Sequence, residues 1–364
     1  MDDGVPIIVT SQHNHKMKQF TLNSRDIAPG LSTYLIAELS ANHGGSLDQA
    51  LDVVRAMKDA GADAVKLQTY TADTLTIDSD RPEFRVGEGT LWQGRTLHDL
   101  YQEAHTPWEW HSALFQLARD LGMDCFSTPF DKTSVDFLET LDPPCYKIAS
   151  FELIDLPLIQ YVASKGRPII MSTGMGTLAE IAEAVDVVKQ AGVPLALLKC
   201  TSAYPSPPES MNLRTIPHLA EAFDVPTGLS DHTLGISVPV AAVSLGACII
   251  EKHVTLSRSQ PGPDSAFSLE PAEFRQLVDS VRTTEKAIGT VNYQLTDKEQ
   301  SSKVFRRSLF VVNDVAPGEP FTRQNVRSIR PGYGLAPKHL ERVLKRKAAT
   351  AIGRGTPLSE AHLA

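Results

Sequence analysis

From residue 34 onward the chain alternates short, largely apolar runs with longer stretches whose apolar residues recur every three or four positions. The runs fall at 34–38, 64–69, 124–128, 145–150, 168–173, 195–201, 225–229 and 247–253. Each has strand length, and such continuous apolar character suits parallel strands covered on both faces. Between them, 46–60 places Leu47, Ala50, Leu51, Val54 and Met57 on one helical face, and 178–191 does the same with Ile181, Ala184, Val185 and Val188. Both patterns stop at a glycine, Gly61 and Gly192, and shorter helical patterns at 157–164 and 211–222 fill two other gaps. Eight strands alternating with helices predict an α/β fold, a closed (β/α)8 TIM barrel, over an open doubly wound sheet. No dinucleotide fingerprint follows the first strand. In Asn42-His43-Gly44-Gly45-Ser46, Ser46 reads as a helix N-cap behind a glycine turn.

Three regions depart from the alternation. Residues 1–30 read as irregular, with a polar stretch containing His13-Asn14-His15. The connection after the second strand is much longer than the others. Its later part, 97–121, is helical, while 81–94, with Trp92, reads as a functional loop on the carboxyl face of the strands. After Gly289 the barrel pattern ends. Residues 1–289 are therefore expected to form the barrel domain with an N-terminal extension, 290–304 a polar linker, and 305–364 a small unit. That unit has strands at 308–312 and 348–352 and turns at Ala316-Pro317-Gly318-Glu319 and Arg330-Pro331-Gly332.

Composition narrows the class. Of 364 residues, 42% are hydrophobic and 21% charged, as in ordinary globular proteins. No apolar run approaches a membrane span. Met1-Asp2-Asp3 lacks the basic-then-apolar pattern of a secretory signal. Cys125, Cys145, Cys200 and Cys248 form no CxxC pair and read as buried, reduced core thiols, which points to the cytoplasm. The net charge of −8 is uneven: residues 305–364 hold 11 Lys/Arg and 4 Asp/Glu, so the rest of the chain carries −15. Without aromatic interleaving or a nucleic-acid motif, this basic tail suits an acidic barrel or an anionic substrate better than nucleic acid.

Candidate chemistry gathers at the strand ends, where barrel active sites form. The first and second strands end in Glu38, Lys66 and Gln68, the third in Ser127 and Thr128, the fourth in Lys147, Ser150 and Glu152. The fifth and sixth give Ser172, Lys199, Ser202 and Tyr204. The last two give Ser230, Asp231, His232, Lys252 and His253, followed by Asp264. Lysines inside barrel strands are costly to bury unless paired or used. Lys66 and Lys147 amid hydroxyls therefore suggest a phosphate or carboxylate site, with a structural pair such as Lys66 with Glu38 as the simpler reading. His232 and His253, at the ends of adjacent strands, can share one divalent metal and leave positions open.

Beyond these patterns, the sequence resembles the sialic acid synthase family along nearly its whole length. The segments that carry the resemblance include Ile36-Ala37-Glu38, Asn42-His43, Val65-Lys66-Leu67-Gln68-Thr69, Ser127-Thr128-Pro129-Phe130 and Tyr146-Lys147-Ile148-Ala149-Ser150. They continue through Ser172-Thr173-Gly174-Met175, Cys200-Thr201, Tyr204-Pro205, Gly228-Leu229-Ser230-Asp231-His232-Thr233, Glu251-Lys252-His253 and Pro261-Gly262-Pro263-Asp264. The tail is similar to the family's antifreeze-like (SAF) domain, marked by Arg330-Pro331-Gly332. Gly89-Thr90-Leu91-Trp92-Gln93-Gly94-Arg95, the stretch from Leu100 to His111, and Lys199 resemble the pseudaminic acid synthase branch. N-acetylneuraminate and legionaminic acid synthases are the alternatives within the family.

The resemblance implies condensation of phosphoenolpyruvate with an open-chain amino sugar, 2,4-diacetamido-2,4,6-trideoxy-L-altrose for that branch. C3 of phosphoenolpyruvate attacks the aldehyde, water adds at C2, and phosphate leaves with C–O cleavage. It implies Mn2+ or Mg2+ on His232 and His253, and catalytic roles for Glu38, His232, His253 and Asp264. Substrate contacts are implied for Lys66, Gln68, Ser127, Thr128, Lys147 and Ser150. They extend to Glu152, Ser172, Ser202, Tyr204 and Ser230, and to Arg330 reaching a partner's site in a domain-swapped homodimer. Two other classes are weaker. An amidohydrolase-type metal barrel would use His13-Asn14-His15 and Lys147, but His13 lies far ahead of the first strand. A non-enzymatic carbohydrate- or ice-binding role would rest on the tail alone.

Overall fold

The structure, a computed structural model, describes residues 20–87, 89, 91–260 and 262–364. The chain divides into two compact units, Met1–Gly289 and Thr290–Ala364.

The first unit opens with a hairpin, β1 (Phe20–Leu22) and β2 (Arg25–Ile27), in a stretch whose sequence pattern is too short to reveal it. Eight parallel strands then close a barrel: β3 (Tyr34–Glu38), β4 (Ala64–Thr69), β5 (Asp124–Pro129), β6 (Tyr146–Ile148), β7 (Ile169–Ser172), β8 (Leu195–Cys200), β9 (Thr227–Asp231) and β10 (Ile249–His253). β10 pairs with β3 to close the ring, and every strand lies between its sequence neighbours. The β4–β5 connection carries α2 (Ala72–Leu75) and α3 (Leu97–Ala104) at the carboxyl ends of the strands, and helices cover the outside: α1 (Leu47–Asp59), α4 (Trp108–Asp120), α5 (Lys132–Glu139), α6 (Leu156–Ala163), α7 (Leu178–Gln190), α8 (Thr215–Phe223), α9 (Ser237–Ser244) and α10 (Pro271–Ile288). Ser46 caps α1 by accepting from the Gln49 amide at 3.4 Å, as its position before the first apolar turn requires. β6 is shorter than the apolar run suggests, because the chain leaves the sheet after Ile148 to make a 3-10 turn at Phe151–Ile154.

Strand alternation sorts the strands into two cores. Inward residues Tyr34, Ile36, Ala64, Phe126, Ile170, Ala196, Leu198 and Ile249 fill the barrel, together with Phe20, Leu22 and Ile27 of the hairpin. Outward residues such as Leu35, Val65, Leu67, Leu197 and Ile250 pack against the helices. Asp124, at the start of β5, accepts from Asn23 of the hairpin at 2.5 Å and Tyr34 at 2.5 Å, so the hairpin stops the amino-terminal end. With that end filled, the carboxyl ends are left for a cavity.

In the second unit, β11 (Ser308–Val311) pairs antiparallel with β12 (Val326–Ile329) over a small core that includes Leu309, Val311, Phe321 and Leu358. The stretch 348–352, read as a strand, makes only isolated bridges, Val315 with Ile352 and Ala348 with Leu363. Within 290–304, read as a linker, α11 (Asp297–Ser302) forms with Thr296 as its N-cap. Among the described residues no helix is long and apolar enough to cross a membrane.

Candidate active site

Sheet register assembles the polar floor of the cavity. Glu38 on β3 pairs in register with His253 on β10 and with Lys66 on β4. Ser230 on β9 pairs with Glu251 on β10 and Cys200 on β8. These residues share the inward phase of their strands, so parallel in-register pairing brings them into one ring at the carboxyl ends. The cavity above them has a volume of about 430 Å³.

The ring is a charge network. Lys66 Nζ lies 3.0 Å from Glu38 Oε2 and 2.9 Å from Glu251 Oε1. Gln68 donates to Glu38 Oε1 at 2.8 Å, and Ser230 to Glu251 Oε1 at 2.8 Å. Burial raises the Glu38 carboxyl, but His253 and Lys66 outweigh it and hold the group well below the usual carboxylate range. Burial likewise opposes the charge on Lys66, and its two carboxylates reverse the balance and raise it. Lys147 differs. Its ammonium donates to Ser172 Oγ at 2.6 Å and to the Ile148 carbonyl at 2.8 Å, while Glu251 Oε1 stays 3.9 Å away. Burial dominates and brings Lys147 down to about 8. Burial also pushes the Glu152 carboxyl up to about 7.

The two histidines stand side by side, with ring centroids 5.4 Å apart. His232 Nδ1 donates to the Thr201 carbonyl at 3.1 Å, which leaves Nε2 as its free lone pair. His253 Nε2 lies 3.1 Å from Glu38 Oε2, so its Nδ1, buried and without a hydrogen bond, carries the lone pair, 3.8 Å from Asp264 Oδ2. Burial lowers His253, against the opposing pull of the Glu38 and Asp264 carboxylates. Cys200 Sγ is 3.9 Å from His232 Nδ1; burial raises the thiol, but His232, Ser150 and Lys147 bring it down to about 7.

Above this floor the wall turns apolar. The long β4–β5 connection contributes Leu75, Val86, Trp92, Leu97, Leu100 and Tyr101, as expected of a loop on this face. Trp92 Nε1 donates to the Pro263 carbonyl at 3.0 Å, and its ring lies 5.9 Å from Tyr204. Phe130 and Phe151 complete the wall.

The structure brings most of the predicted residues to this cavity. From the strands and their ends these are Glu38, Lys66, Gln68, Thr128, Lys147, Ser150 and Ser172; from the loops and the last two strands, Glu152, Tyr204, Ser230, His232, His253 and Asp264. Ser127 and Ser202 do not line it. Ser127 faces the helices, where it bonds Thr69 Oγ1 at 2.6 Å; alternation forbids it and Thr128 from both pointing inward. Ser202 Oγ is buried without a partner next to Gly174, whose glycine is required because a Cβ there would sit 2.2 Å from Ser150 Cβ. Arg330 is exposed on the second unit, among Arg307, Arg323 and Arg327 around a shallow groove. Of the branch markers, Arg95 turns away to Glu103 at 2.6 Å, Gln93 accepts from the Gly89 amide at 3.3 Å, and Lys199 bonds Thr201 Oγ1 at 3.1 Å on the outward face. Asp231 and Lys252 pair with each other at 2.5 Å outside the barrel.

Sequence reasoning missed Glu251, Cys200, Ser40 and Tyr101 as cavity residues. Glu251 and Cys200 were findable: each is two positions from an inward residue, His253 and Leu198. Cys200 is thus no core thiol, unlike Cys125, Cys145 and Cys248, whose thiols burial pushes up. Tyr101 lies in the stretch from Leu100 to His111 that carries the branch resemblance, while nothing in the local sequence marks Ser40.

With this geometry in hand, comparison with known proteins decides the family. The sequence model of the NeuB family matches residues 53–293, and that of the SAF domain matches 306–364. The chain belongs to the NeuB family. It is 47% identical over 328 residues to the pseudaminic acid synthase of Campylobacter jejuni subsp. jejuni serotype O:23/36 (strain 81-176), covering 90% of this chain and 95% of that one. It is 37% identical over 340 residues to the N,N'-diacetyllegionaminic acid synthase of Legionella pneumophila, covering 92% and 95%. Its fold is similar to the crystal structure of N-acetylneuraminic acid synthetase from Leptospira borgpetersenii in complex with citrate. That match has a TM-score of 0.70 and 30% identity over 79% of this chain and 95% of that one. NeuB membership displaces the amidohydrolase reading, whose His13-Asn14-His15 lies outside the described residues.

Proposed function

We propose that this chain catalyses the pseudaminic acid synthase reaction: phosphoenolpyruvate, 2,4-diacetamido-2,4,6-trideoxy-L-altrose and water give pseudaminic acid and phosphate. The observation that carries the reading is where unsatisfied polar atoms collect. Among the described residues, seven buried side-chain atoms lack a hydrogen-bond partner. Thr128 Oγ1, Glu152 Oε2, Glu251 Oε2 and His253 Nδ1 belong to residues lining this cavity, and Ser202 Oγ lies beside Ser150. Orphaned buried groups are costly, so a cluster of them marks the place of a polar ligand.

The residues divide the work. Lys147, whose ammonium has only neutral oxygens within hydrogen-bond distance, offers its charge to the phosphate or carboxylate of phosphoenolpyruvate, with the Ser150, Ser172 and Thr128 hydroxyls beside it. Lys66 holds Glu38 and Glu251 apart and ionised. A carboxylate with a strongly lowered pKa is a weak base, so Glu38 serves as an acceptor that orients a hydroxyl or water. Glu152, protonated up to about pH 7, is the group matched to giving and regaining a proton as C3 attacks the aldehyde and water adds at C2. Asp264 accepts from the sugar. The apolar wall with Trp92 and Tyr101 faces the deoxy terminus, where the altrose carries a methyl in place of a hydroxyl.

His232 and His253 suit a divalent ion, since each imidazole keeps one nitrogen free of protein donors and the rings stand 5.4 Å apart. Of Mn2+ and Mg2+, two imidazoles favour Mn2+, because Mg2+ prefers oxygen donors. Such an ion supplies a Lewis acid for the aldehyde oxygen, worth several kcal/mol of charge stabilisation. Arg330 reaches the cavity of a partner subunit in a domain-swapped homodimer. The resemblance of the tail and the opposite charges of the two parts of the chain support that reading. Four cysteines free of disulfides suit a reducing cytoplasm.

The test is phosphate release from phosphoenolpyruvate with a panel of amino sugars. The diacetamido trideoxy altrose should exceed N-acetylmannosamine by a factor on the order of 10⁴, since buried groups left unpaired discriminate strongly. Comparable turnover on N-acetylmannosamine or on the legionaminic acid precursor would remove the branch assignment and leave the family.

A further inference from the structure

The turn that leaves β3 contains a residue with no role so far. The Asn42 amide donates to the Leu39 carbonyl at 3.0 Å and closes a four-residue turn with Ser40 in its second position. Ser40 has φ 45°, in the left-handed region. Glycine, asparagine and aspartate adopt that conformation most readily, so the backbone gains nothing from serine over glycine here. What serine adds is a hydroxyl. Ser40 is 2% exposed and lines the cavity, and its Oγ donates to Asp264 Oδ2. The Ala41 amide reaches the same oxygen at 3.4 Å.

The same turn also holds the backbone that carries Asp264. Asn42 Nδ2 donates to Ser268 Oγ at 2.8 Å, and Ser268 Oγ donates to the Asp264 carbonyl at 2.7 Å. Asp264 Oδ1, by contrast, has no hydrogen-bond donor among the described residues. One carboxylate oxygen is therefore tied to the barrel and the other is left for a ligand.

We propose that Ser40 is a positioning residue for the condensation: it fixes Asp264 by Oδ2 so that Oδ1 meets the sugar, in exchange for a strained turn. The proposal rests on the reading of this cavity as the condensation site. In this role Ser40 touches no reacting atom and acts through Asp264. Strained backbone that persists at a cavity wall, where a relaxed alternative exists, fits such a role.

Two variants separate hydroxyl from strain. Ser40→Gly relaxes the turn and removes the hydroxyl; its Tm should equal or exceed that of the unaltered enzyme, while kcat on the altrose falls about tenfold or more because the carboxylate loses its orientation. The KM for phosphoenolpyruvate should not change. Ser40→Ala keeps the strain, so it should lose the same activity with a lower Tm. In an Asp264→Ala background, Ser40→Gly should have no further effect on kcat, because the group it positions is gone. Undiminished kcat in Ser40→Gly, or an additive loss in the double variant, overturns the proposal. The unaltered enzyme is the control for the site itself. If it releases no phosphate with the altrose, the functional reading fails and Ser40's role with it; if it turns over and Ser40→Gly matches it, only Ser40's role fails.

Discussion

Neighbouring residues on the same strand ends meet opposite fates. On the outward side, Lys252 pairs with Asp231 at 2.5 Å and also donates to the Thr233 carbonyl, with both side chains fully buried. On β4 and β5, Thr69 bonds Ser127 at 2.6 Å and His111 at 2.8 Å, and His111 Nδ1 meets the Pro107 carbonyl at 3.1 Å. Both of these outward polar groups are satisfied. One residue away along these strands, on the inward side, Glu251, His253 and Thr128 keep atoms without partners, and on β6 Lys147 has no close carboxylate. Burial and residue type are the same on both faces. Satisfaction separates them: a closed network holds the barrel together, and an open one awaits a ligand.

The strongest test of that contrast compares two buried lysines. Lys147→Met should reduce turnover by about 10³-fold or more, through loss of a preorganised charge, and leave Tm nearly unchanged. In the unaltered enzyme, kcat/KM for phosphoenolpyruvate should fall as pH rises through about 8, where Lys147 loses its proton. Lys252→Met should do the reverse. It leaves Asp231 buried without a cation, a loss of about 3–5 kcal/mol in denaturant unfolding, while the folded fraction keeps its kcat. Normal stability with no activity in the Lys252 variant would invert the assignment of the two faces.

A smaller effect belongs to His111. Burial lowers it to about 4, so it stays neutral in the fold while the unfolded chain takes up a proton below about 6.5. Stability should therefore fall as pH drops from about 6.5 towards 4, by about 3 kcal/mol in all for this group. His111→Gln should flatten that part of the Tm–pH curve; an unchanged slope would show that the outward network does not depend on a neutral imidazole. Smallest is Trp92→Ala on the apolar wall. It should erode the preference for the altrose over N-acetylmannosamine by about tenfold and spare the KM for phosphoenolpyruvate. An unchanged preference would make the loop a cover over the floor with no part in reading the sugar.

Much of this was legible in the sequence. Apolar runs at eight positions, with helical periodicity between them, fixed the barrel, because a strand buried on both faces has to be apolar and a covering helix has to be amphipathic. The lysines and histidines stood out because charge in such runs is expensive. Tertiary structure decided what each one does. Alternation sends Ser127 outward and Thr128 inward, though the sequence sets them side by side. Register sets Glu251 against Ser230, and the barrel interior then brings Lys66 and Lys147 to it, from strands far apart in the chain. Asp264 meets Ser40 across 224 residues. The local pattern records which face a residue prefers and what burial costs it. Which partners share that face, and which polar atoms are left over for a ligand, depends on contacts between strands, and no stretch of sequence contains both sides of such a contact.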